Sequence, residues 1–329
     1  MAGGNKACVG TDSFVSILES FPQQLREAAQ LGKDITCSVF DKIVICGMGG
    51  SGLPAEITRS FVADLPVMSV KDYTLPPYVD ENSLLFIVSY SGTTEEMLSI
   101  YEQAKKRKLR PIVIASGGDL AAHARADGMQ FINVPRGYPP RMAWHFQTIP
   151  ILNILENARI IKKIDWNDVA VFLEKEASSV KKEAEQLAQK IDKKIPCIYA
   201  CAQMAAVAYK WKKNFNENAK IHAFSNTCPE WNHNEVNAYE NNADKVAAIM
   251  HHDVDDLPRN AKRMQITAKI IEENNGTAAI VECRGSTRAH RIARTIWLGD
   301  WTSYFTAQTW NVDPMKIEIV EGLKRALKE

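Results

Sequence analysis

The sequence predicts an α/β protein built from two tandem, doubly wound parallel sheets. Its apolar strands are continuous rather than alternating, and helical segments separate them, which is typical of parallel sheets covered on both faces. This order of strands and helices occurs twice, with strand centres near residues 45, 87 and 112 and then near 198, 249 and 280. A length of 329 residues also suits about two domains.

The first half begins with an amphipathic helix, because apolar residues recur at helical spacing from Asp12 onward. The strand Lys42 to Cys46 then runs into a glycine cluster and a helix. A second strand, Ser83 to Ser89, leads through a turn rich in Ser and Thr into another helix, and the strand Pro111 to Ser116 follows. We expect residues 1–150 to form this helix and the first domain.

The second half repeats this order of strands and helices after a helical connection. Residues 151–192 have a long helical periodicity with many Lys and Glu between the apolar positions, which predicts the connection. An apolar strand begins at Ile195, and after a helix the strands Lys245 to Met250 and Thr277 to Arg284 flank a further helix. We expect residues 193–329 to form the second domain and a C-terminal helix.

Composition and charge exclude several classes of protein. Hydrophobic residues make up 46% of the chain and charged residues 24%, as in ordinary globular proteins. Forty Lys and Arg against 39 Asp and Glu leave a formal charge of +1, so no broad basic field favours nucleic acid or acidic membranes. An anionic ligand must therefore be bound by local geometry, and we expect small-molecule partners only.

The chain is expected to be soluble and cytoplasmic. No apolar run reaches the length of a membrane span, and the start MAGGNKACVG lacks the apolar stretch of a secretion signal. Of the seven cysteines, four lie in apolar, strand-like surroundings, where Cys usually packs as a small hydrophobe; these are Cys46, Cys197, Cys201 and Cys283. We expect no disulfide framework.

The glycine cluster after the first strand is a candidate anion site. It places flexible backbone before a helix N-terminus, where main-chain N–H groups can bind an anion; the cluster reads Gly47-Met48-Gly49-Gly50-Ser51-Gly52. The same residues satisfy GxGxxG, and Asp72 follows at the distance of a dinucleotide fingerprint. A phosphate or sugar site, a nucleotide site and a plain tight turn all remain open from this cluster alone.

A second loop favours phosphate. It follows the next parallel strand, enters a helix and offers more hydroxyl groups than the single one that an N-cap uses; the hydroxyls belong to Ser89, Ser91, Thr93 and Thr94. A dinucleotide-binding fold does not need this second anion-binding loop. The loop also has no lysine, unlike a nucleoside triphosphate loop, which suits a small phosphomonoester held by neutral donors.

Taken with further motifs, these loops resemble a known family. GMGGSG and SYSGTTEE are typical of the sugar isomerase (SIS) domain, and five more segments narrow the resemblance to the bifunctional phosphoglucose/phosphomannose isomerases: FPQQLREA, PPRMAW, NENAK, WNHNE and VEGLKRAL. The resemblance implies two tandem SIS domains, which are flavodoxin-like sandwiches, and a homodimer with active sites at the subunit interface. It also implies interconversion of fructose 6-phosphate with glucose 6-phosphate and mannose 6-phosphate through a cis-enediolate.

Four residues carry the chemistry that the resemblance implies. Glu217 in NENAK matches the base that moves a proton between C1 and C2, and His233 in WNHNE matches the ring-opening histidine. Arg141 matches the cation that stabilises the oxyanion, with Arg136 as the nearby alternative. Lys324 matches a lysine near the ring oxygen, and Lys316 is its alternative.

One segment departs from the family pattern. After Asp313-Pro314 the family commonly has a small threonine, whereas this chain has Met315, which puts the mannose activity in doubt. No spaced array of His, Cys or carboxylate residues predicts a metal site, and a cis-enediolate reaction moves only protons, so we expect no cofactor. His251 and His252 match no family motif and are expected in a loop.

Two other functional classes remain as alternatives. One is a non-catalytic SIS regulator that binds sugar phosphate, which Glu217 and His233 disfavour. The other is a nucleotide-dependent oxidoreductase, suggested by the GxGxxG match alone.

Overall fold

The structure of the protein is a computed structural model that describes residues 9–37 and 39–327. The first eight residues lie outside this range, and with them most of the start that lacks an apolar stretch. None of the helices in the described ranges combines the length and the hydropathy that crossing a bilayer requires. The six cysteines within these ranges are all free thiols.

Two helices, α1 (Val9–Glu19) and α2 (Phe21–Ala28), precede a five-stranded sheet in which all neighbouring strands are parallel. The strands of this first sheet are β1 (Lys42–Gly47), β2 (Val67–Val70), β3 (Ser83–Val88), β4 (Ile112–Ala115) and β5 (Phe131–Asn133). The helices that alternate with them and follow them are α3 (Leu53–Arg59), α4 (Glu95–Lys106), α5 (Gly118–Ala126) and α6 (Trp144–Asn157).

The first sheet is doubly wound. Its strand order, β2-β1-β3-β4-β5, reverses direction between β1 and β3, and ligands of such sheets bind at the carboxyl ends of the strands at this switch point. The central strands are buried throughout, since β4 consists of four buried apolar residues and β3 of five after Ser83. The continuous apolar runs in the sequence therefore correspond to strands covered on both faces.

A four-stranded parallel sheet follows the long helix α7 (Trp166–Ile191). Its strands are β6 (Ile195–Cys201), β7 (Phe224–Cys228), β8 (Val246–His252) and β9 (Thr277–Glu282), and its helices are α8 (Ala205–Asn214), α9 (Pro258–Glu273), α10 (Arg288–Thr309) and α11 (Glu318–Ala326). The order β7-β6-β8-β9 repeats the first four positions of the first sheet. The prediction of two tandem, doubly wound parallel sheets is confirmed.

The chain divides into two compact units, one of residues 22–171 and one of the described residues up to Phe21 and from Phe172 onward. Helix α1 belongs with the second sheet because Phe14 stacks on Tyr304 and the Trp297 indole donates a hydrogen bond to the Leu18 oxygen, at 2.8 Å. The units thus divide the chain at other residues than the expected ranges 1–150, 151–192 and 193–329. As boundaries of independently folding domains, those ranges stay predictions.

Two local expectations about the second sheet were wrong. Strand β7 was missed because its middle residues, Ser225, Asn226 and Thr227, are polar and it lies at the edge of the sheet. His251 and His252 end strand β8 rather than lying in a loop, and His251 is fully buried with its ring packed edge-on against Trp211. A histidine inside an apolar strand leaves no signal that distinguishes it from a histidine just after the strand.

Candidate active site

The glycine cluster forms a tight turn at the switch point of the first sheet. Gly47 ends β1, a 3₁₀ turn covers Gly49–Gly52, and Gly49 has a positive φ of 53°. A Cβ atom on Gly50 would lie 2.6 Å from the Pro140 oxygen, so only glycine permits this approach of the two backbones. The approach places the 3₁₀ turn Pro140–Met142, which contains Arg141, directly against the glycine turn.

Hydrogen bonds join the glycine turn to the Ser/Thr loop after β3. The buried Ser51 hydroxyl accepts a hydrogen bond from the Tyr90 main-chain N–H, at 3.0 Å. Within the loop, the hydroxyls of Ser89 and Thr94 are 2.9 Å apart. The structure therefore brings the two predicted phosphate loops together at the carboxyl edge of the first sheet.

The remaining hydroxyls of this loop face solvent at the start of α4. Ser91 and Thr93 are exposed, and the Thr93 hydroxyl donates to that of Ser91, at 3.1 Å. Thr94 is the N-cap residue, yet its side chain forms no capping hydrogen bond with the helix. Exposed hydroxyls beside a helix N-terminus can bind an anion such as a phosphate group.

Gly92 holds the loop against the turn after β4. It has a positive φ of 72°, and a Cβ atom there would lie 1.7 Å from the Gly117 oxygen. Tyr90 adds a second anchor, since its hydroxyl donates to the Pro135 oxygen at 2.8 Å and accepts from the Tyr138 N–H. Sequence reasoning missed this role of Tyr90, because a buried tyrosine after a strand resembles any core residue.

Arg141 and Arg136 lie in different environments. Arg141 is only 2% exposed, in the turn packed on Gly50. Arg136 is exposed, and its guanidinium donates to the Ser116 oxygen at 2.6 Å, next to Gly117. Arg141 thus lies beside the glycine turn, whereas Arg136 supports the turn after β4.

Glu217 lies in a π-helical turn, Phe215–Ala219, that continues α8. The turn ends at Lys220, which has a left-handed backbone conformation and donates from its ammonium group to the main-chain oxygens of Glu217, Asn218 and Asp313, at 2.8, 3.3 and 2.6 Å. The Asn218 amide donates to the Ser303 hydroxyl, at 2.9 Å. π-helical turns within helices occur frequently at functional sites.

A buried ion pair between α8 and α10 supports the π-helical turn. The ammonium group of Lys210 lies 2.6 Å from Asp300 and 2.6 Å from the side-chain oxygen of Asn214, and both charged side chains are almost fully buried. The Asn214 amide also donates to Asp300. Breaking a buried, hydrogen-bonded pair leaves an unpaired charge, so this network resists rearrangement. The sequence reading overlooked all three residues, which look like ordinary polar residues of a helix.

His233 lies at the other end of β7 from Glu217. Glu217 comes seven residues before β7 begins at Phe224, and His233 comes five residues after β7 ends at Cys228. His233 ends a 3₁₀ turn, Glu230–His233, and its side chain is exposed. In the same turn the Trp231 ring stacks on Tyr199, with centroids 3.9 Å apart, which anchors the turn to the sheet.

Lys324 and Lys316 are both exposed. Lys324 lies on α11, which has no buried residue in the single chain. The large apolar side chains of this helix and of the residue after it are exposed; they belong to Ile319, Val320 and Leu323 of α11 and to Leu327. Lys316 lies before the helix and is 3.7 Å from Glu318. Among residues 9–37 and 39–327 of one chain, no contact holds either lysine in a defined site.

The switch point of the second sheet has different chemistry. The turn after β8 carries Asp253, Asp255 and Asp256 where the first sheet has the Ser/Thr loop. Arg291 from α10 forms ion pairs with Asp253, at 2.8 Å, and with Asp255. Because carboxylates paired with an arginine stand here in place of free hydroxyls, this turn lacks the neutral donors that the Ser/Thr loop offers to a phosphate group.

Across residues 9–37 and 39–327, no three His, Cys, Asp or Glu side chains are grouped so that they could hold a metal ion. The expectation of a reaction without metal or organic cofactor stays a prediction.

Family models match both halves of the chain. Residues 38–138 match the SIS domain, and residues 180–327 match the bacterial phospho-glucose isomerase C-terminal SIS domain. A solved structure of glucosamine-6-phosphate deaminase from Thermotoga maritima has the same fold, with a TM-score of 0.70 at 14% identity over 93% of this chain and 97% of that one.

Curated relatives extend the match to full length. The bifunctional phosphoglucose/phosphomannose isomerase of Aquifex aeolicus is 34% identical over 97% of this chain and 99% of its own length. The enzyme of the same name from Thermoplasma acidophilum is 35% identical, with 92% of this chain and 95% of the relative covered. The resemblance seen in the motifs is confirmed: this chain belongs to the bifunctional phosphoglucose/phosphomannose isomerase family.

Proposed function

We propose that the protein interconverts fructose 6-phosphate with glucose 6-phosphate and with mannose 6-phosphate. The observation that carries the proposal is the joined pair of loops at the switch point of the first sheet. Ser51, Ser89, Ser91, Thr93 and Thr94 supply hydroxyls there, and the N-terminus of α4 supplies main-chain donors. Membership of an isomerase family supports a hexose 6-phosphate as the bound molecule.

In the proposed reaction, Glu217 transfers the proton between C1 and C2. Its carboxylate takes the proton from one carbon and returns it to the other, so that the sugar passes through a cis-enediolate and no atom is gained or lost. The surrounding contacts suit this role, because Asn218 and Lys220 hold the turn through bonds to other protein groups. Arg141 supplies positive charge for the enediolate oxygens, near the phosphate loops of the first sheet.

His233 and Lys324 serve ring opening in this proposal. An imidazole can donate a proton to the ring oxygen and accept one from the C1 or C2 hydroxyl. A lysine beside the ring oxygen favours the same proton transfer by its charge. Gly49 and Gly50 let the backbone approach the substrate closely, as their turn geometry permits.

We further propose that each active site combines residues of two chains. Strand β7 has five residues, and at about 3.3 Å per residue its two ends are about 16 Å apart. Glu217 precedes this strand and His233 follows its other end, so we infer that the two residues of one chain do not serve the same hexose ring. The exposed apolar face of α11 is consistent with burial against a second copy. A homodimer with shared sites would unite the two residues.

A coupled assay tests the activity. Purified protein with fructose 6-phosphate should produce glucose 6-phosphate, detected by an NADP-dependent dehydrogenase, at the same rate with and without EDTA. The Glu217→Gln variant, purified identically, controls for contaminating isomerase. A rate that EDTA abolishes and a divalent ion restores would contradict the proposed proton-transfer mechanism.

Subunit mixing tests the shared site. Glu217→Gln and His233→Ala homodimers should each be nearly inactive, but a mixed dimer should carry both defects at one site and leave the other intact. Random exchange should then restore up to about a quarter of the wild-type activity. If exchange is demonstrated by mass and no activity returns, both residues of a site come from the same chain.

A further inference from the structure

Two thiols meet at the carboxyl ends of neighbouring strands in the second sheet. Cys201 ends β6, Cys228 ends β7, and the two residues are direct partners in the parallel register. Strands in a sheet lie about 4.8 Å apart, which falls within the Cα separation that a disulfide tolerates, about 4.4 to 6.8 Å. The side chains of register partners also lie on the same face of the sheet.

These two thiols differ in acidity. Cys228 has a lowered pKa, chiefly because the Cys201 thiol hydrogen-bonds to it and also because the Arg263 charge is near, although burial opposes both effects. The pKa of Cys201 is raised, first by that same hydrogen bond. Burial alone raises the pKa of Cys46 to about 12, so the paired thiols differ from an ordinary buried cysteine. A cysteine with a lowered pKa beside a second thiol is one feature of redox-sensitive pairs, and both thiols here are buried.

Cys228 also holds the turn that carries His233. Its thiol donates to the Asn232 side-chain oxygen, at 3.4 Å, and the Asn232 amide donates to the Thr267 hydroxyl, at 3.0 Å. Asn232 directly precedes His233 at the end of the 3₁₀ turn Glu230–His233. If Cys228 forms a disulfide, it loses the proton that it donates to Asn232, and the turn loses this contact with the sheet.

We propose that Cys201 and Cys228 are a site of reversible oxidation to an intrachain disulfide that displaces the His233 turn and slows ring opening. The oxidant is a peroxide. The Cys228 thiolate attacks the peroxide and becomes a sulfenic acid while one water or alcohol leaves. The Cys201 thiol then displaces the hydroxyl group as water, which forms the S–S bond. Two thiols and one hydrogen peroxide give one disulfide and two waters, and a thiol reductant reverses the change. The effect on ring opening rests on the proposed function.

Peptide mapping after peroxide treatment tests the pair. Wild-type enzyme and a Cys197→Ser control, which alters a neighbouring cysteine of β6, should both acquire a Cys201–Cys228 crosslink. Activity on fructose 6-phosphate should fall at least about fivefold, and dithiothreitol should restore it. In Cys228→Ser, which lacks the attacking thiol, peroxide should leave no crosslink and no dithiothreitol-reversible inhibition.

Two results would overturn the inference: folded wild-type enzyme that forms no such crosslink while the less buried thiols of Cys37 and Cys197 are oxidised, or a complete crosslink with unchanged activity. The activity of the reduced enzyme is measured first. An inactive reduced enzyme would refute the isomerase proposal, whereas the mapping still decides whether the thiols pair.

Discussion

The ammonium group of Lys220 donates a hydrogen bond to the main-chain oxygen of Glu217, at 2.8 Å. The same group binds the Asp313 oxygen at 2.6 Å, so one side chain joins the π-helical turn to the segment before α11. Lys220 is therefore a positioning residue for the proposed base.

Replacing Lys220 by Met should lower kcat by about ten- to a hundredfold, because a displacement of about 1 Å at a reacting group costs that much. KM should change little, since the phosphate loops are untouched. Lys220→Arg should recover part of the rate by bonding the same oxygens. Steady-state kinetics of both variants measure kcat and KM separately. A Lys220→Met variant that raises KM and leaves kcat unchanged would refute the positioning role.

Glu217→Gln should keep the shape of the side chain and remove the base. We expect kcat to fall by about two to four orders of magnitude, with substrate binding retained in calorimetry. A kcat within a few-fold of wild type would show that another group transfers the proton.

Ser91→Ala and Thr94→Ala should act mainly on KM. Their hydroxyls lie in the loop assigned to the phosphate, which changes little between substrate and transition state. Ser99→Ala is the matched control, because the Ser99 hydroxyl lies farther along α4 and donates to the Tyr73 oxygen. Loss of kcat with unchanged KM in the loop variants would contradict the assignment.

His251 should make the fold sensitive to acid. Burial lowers the pKa of its imidazole to about 3, and neither ring nitrogen has a hydrogen-bond partner among the described residues. Between about pH 6.5 and 3 the unfolded chain therefore binds a proton that the folded chain excludes, so stability falls as the pH falls through this window.

Urea unfolding at pH 7 and pH 5 measures this effect. Between pH 7 and pH 5, the unfolding free energy of the wild type should fall by about 2 kcal/mol more than that of His251→Phe. This variant keeps an aromatic ring beside Trp211 but cannot titrate. Equal losses in the two proteins would mean that the imidazole of His251 has the same pKa in the folded and the unfolded chain.

Met315→Thr should favour mannose 6-phosphate over glucose 6-phosphate. Met315 lies two residues after Asp313, whose main-chain oxygen shares the Lys220 ammonium group with that of Glu217, and we expect a smaller side chain there to give room for rotation about the C2–C3 bond. In Met315→Thr, the kcat/KM for mannose 6-phosphate divided by that for glucose 6-phosphate should rise a few-fold. Met315→Leu, whose side chain has a similar volume, should leave this ratio unchanged. An unaltered ratio in the Thr variant would exclude this position as a determinant.

Sequence patterns predicted those parts of the molecule that depend on continuous burial. Strands such as β1 and β3 are runs of apolar residues, and the turns after them contain the glycines and hydroxyls that their backbone positions require. The π-helical turn could not be predicted, because its extra residue per turn depends on the packing of α8 against α10 and not on a local preference. The edge strand β7 was missed because its residues are polar and mostly not buried, so it has no continuous apolar run.

The ion pairs of Arg291 with Asp253 and Asp255 bear on the number of sugar phosphates that one polypeptide binds. They neutralise the turn of the second sheet that corresponds to the Ser/Thr loop of the first, so the repeated fold does not give a repeated binding site. Calorimetric titration with a non-reacting hexitol 6-phosphate should therefore saturate at a molar ratio of one ligand per polypeptide.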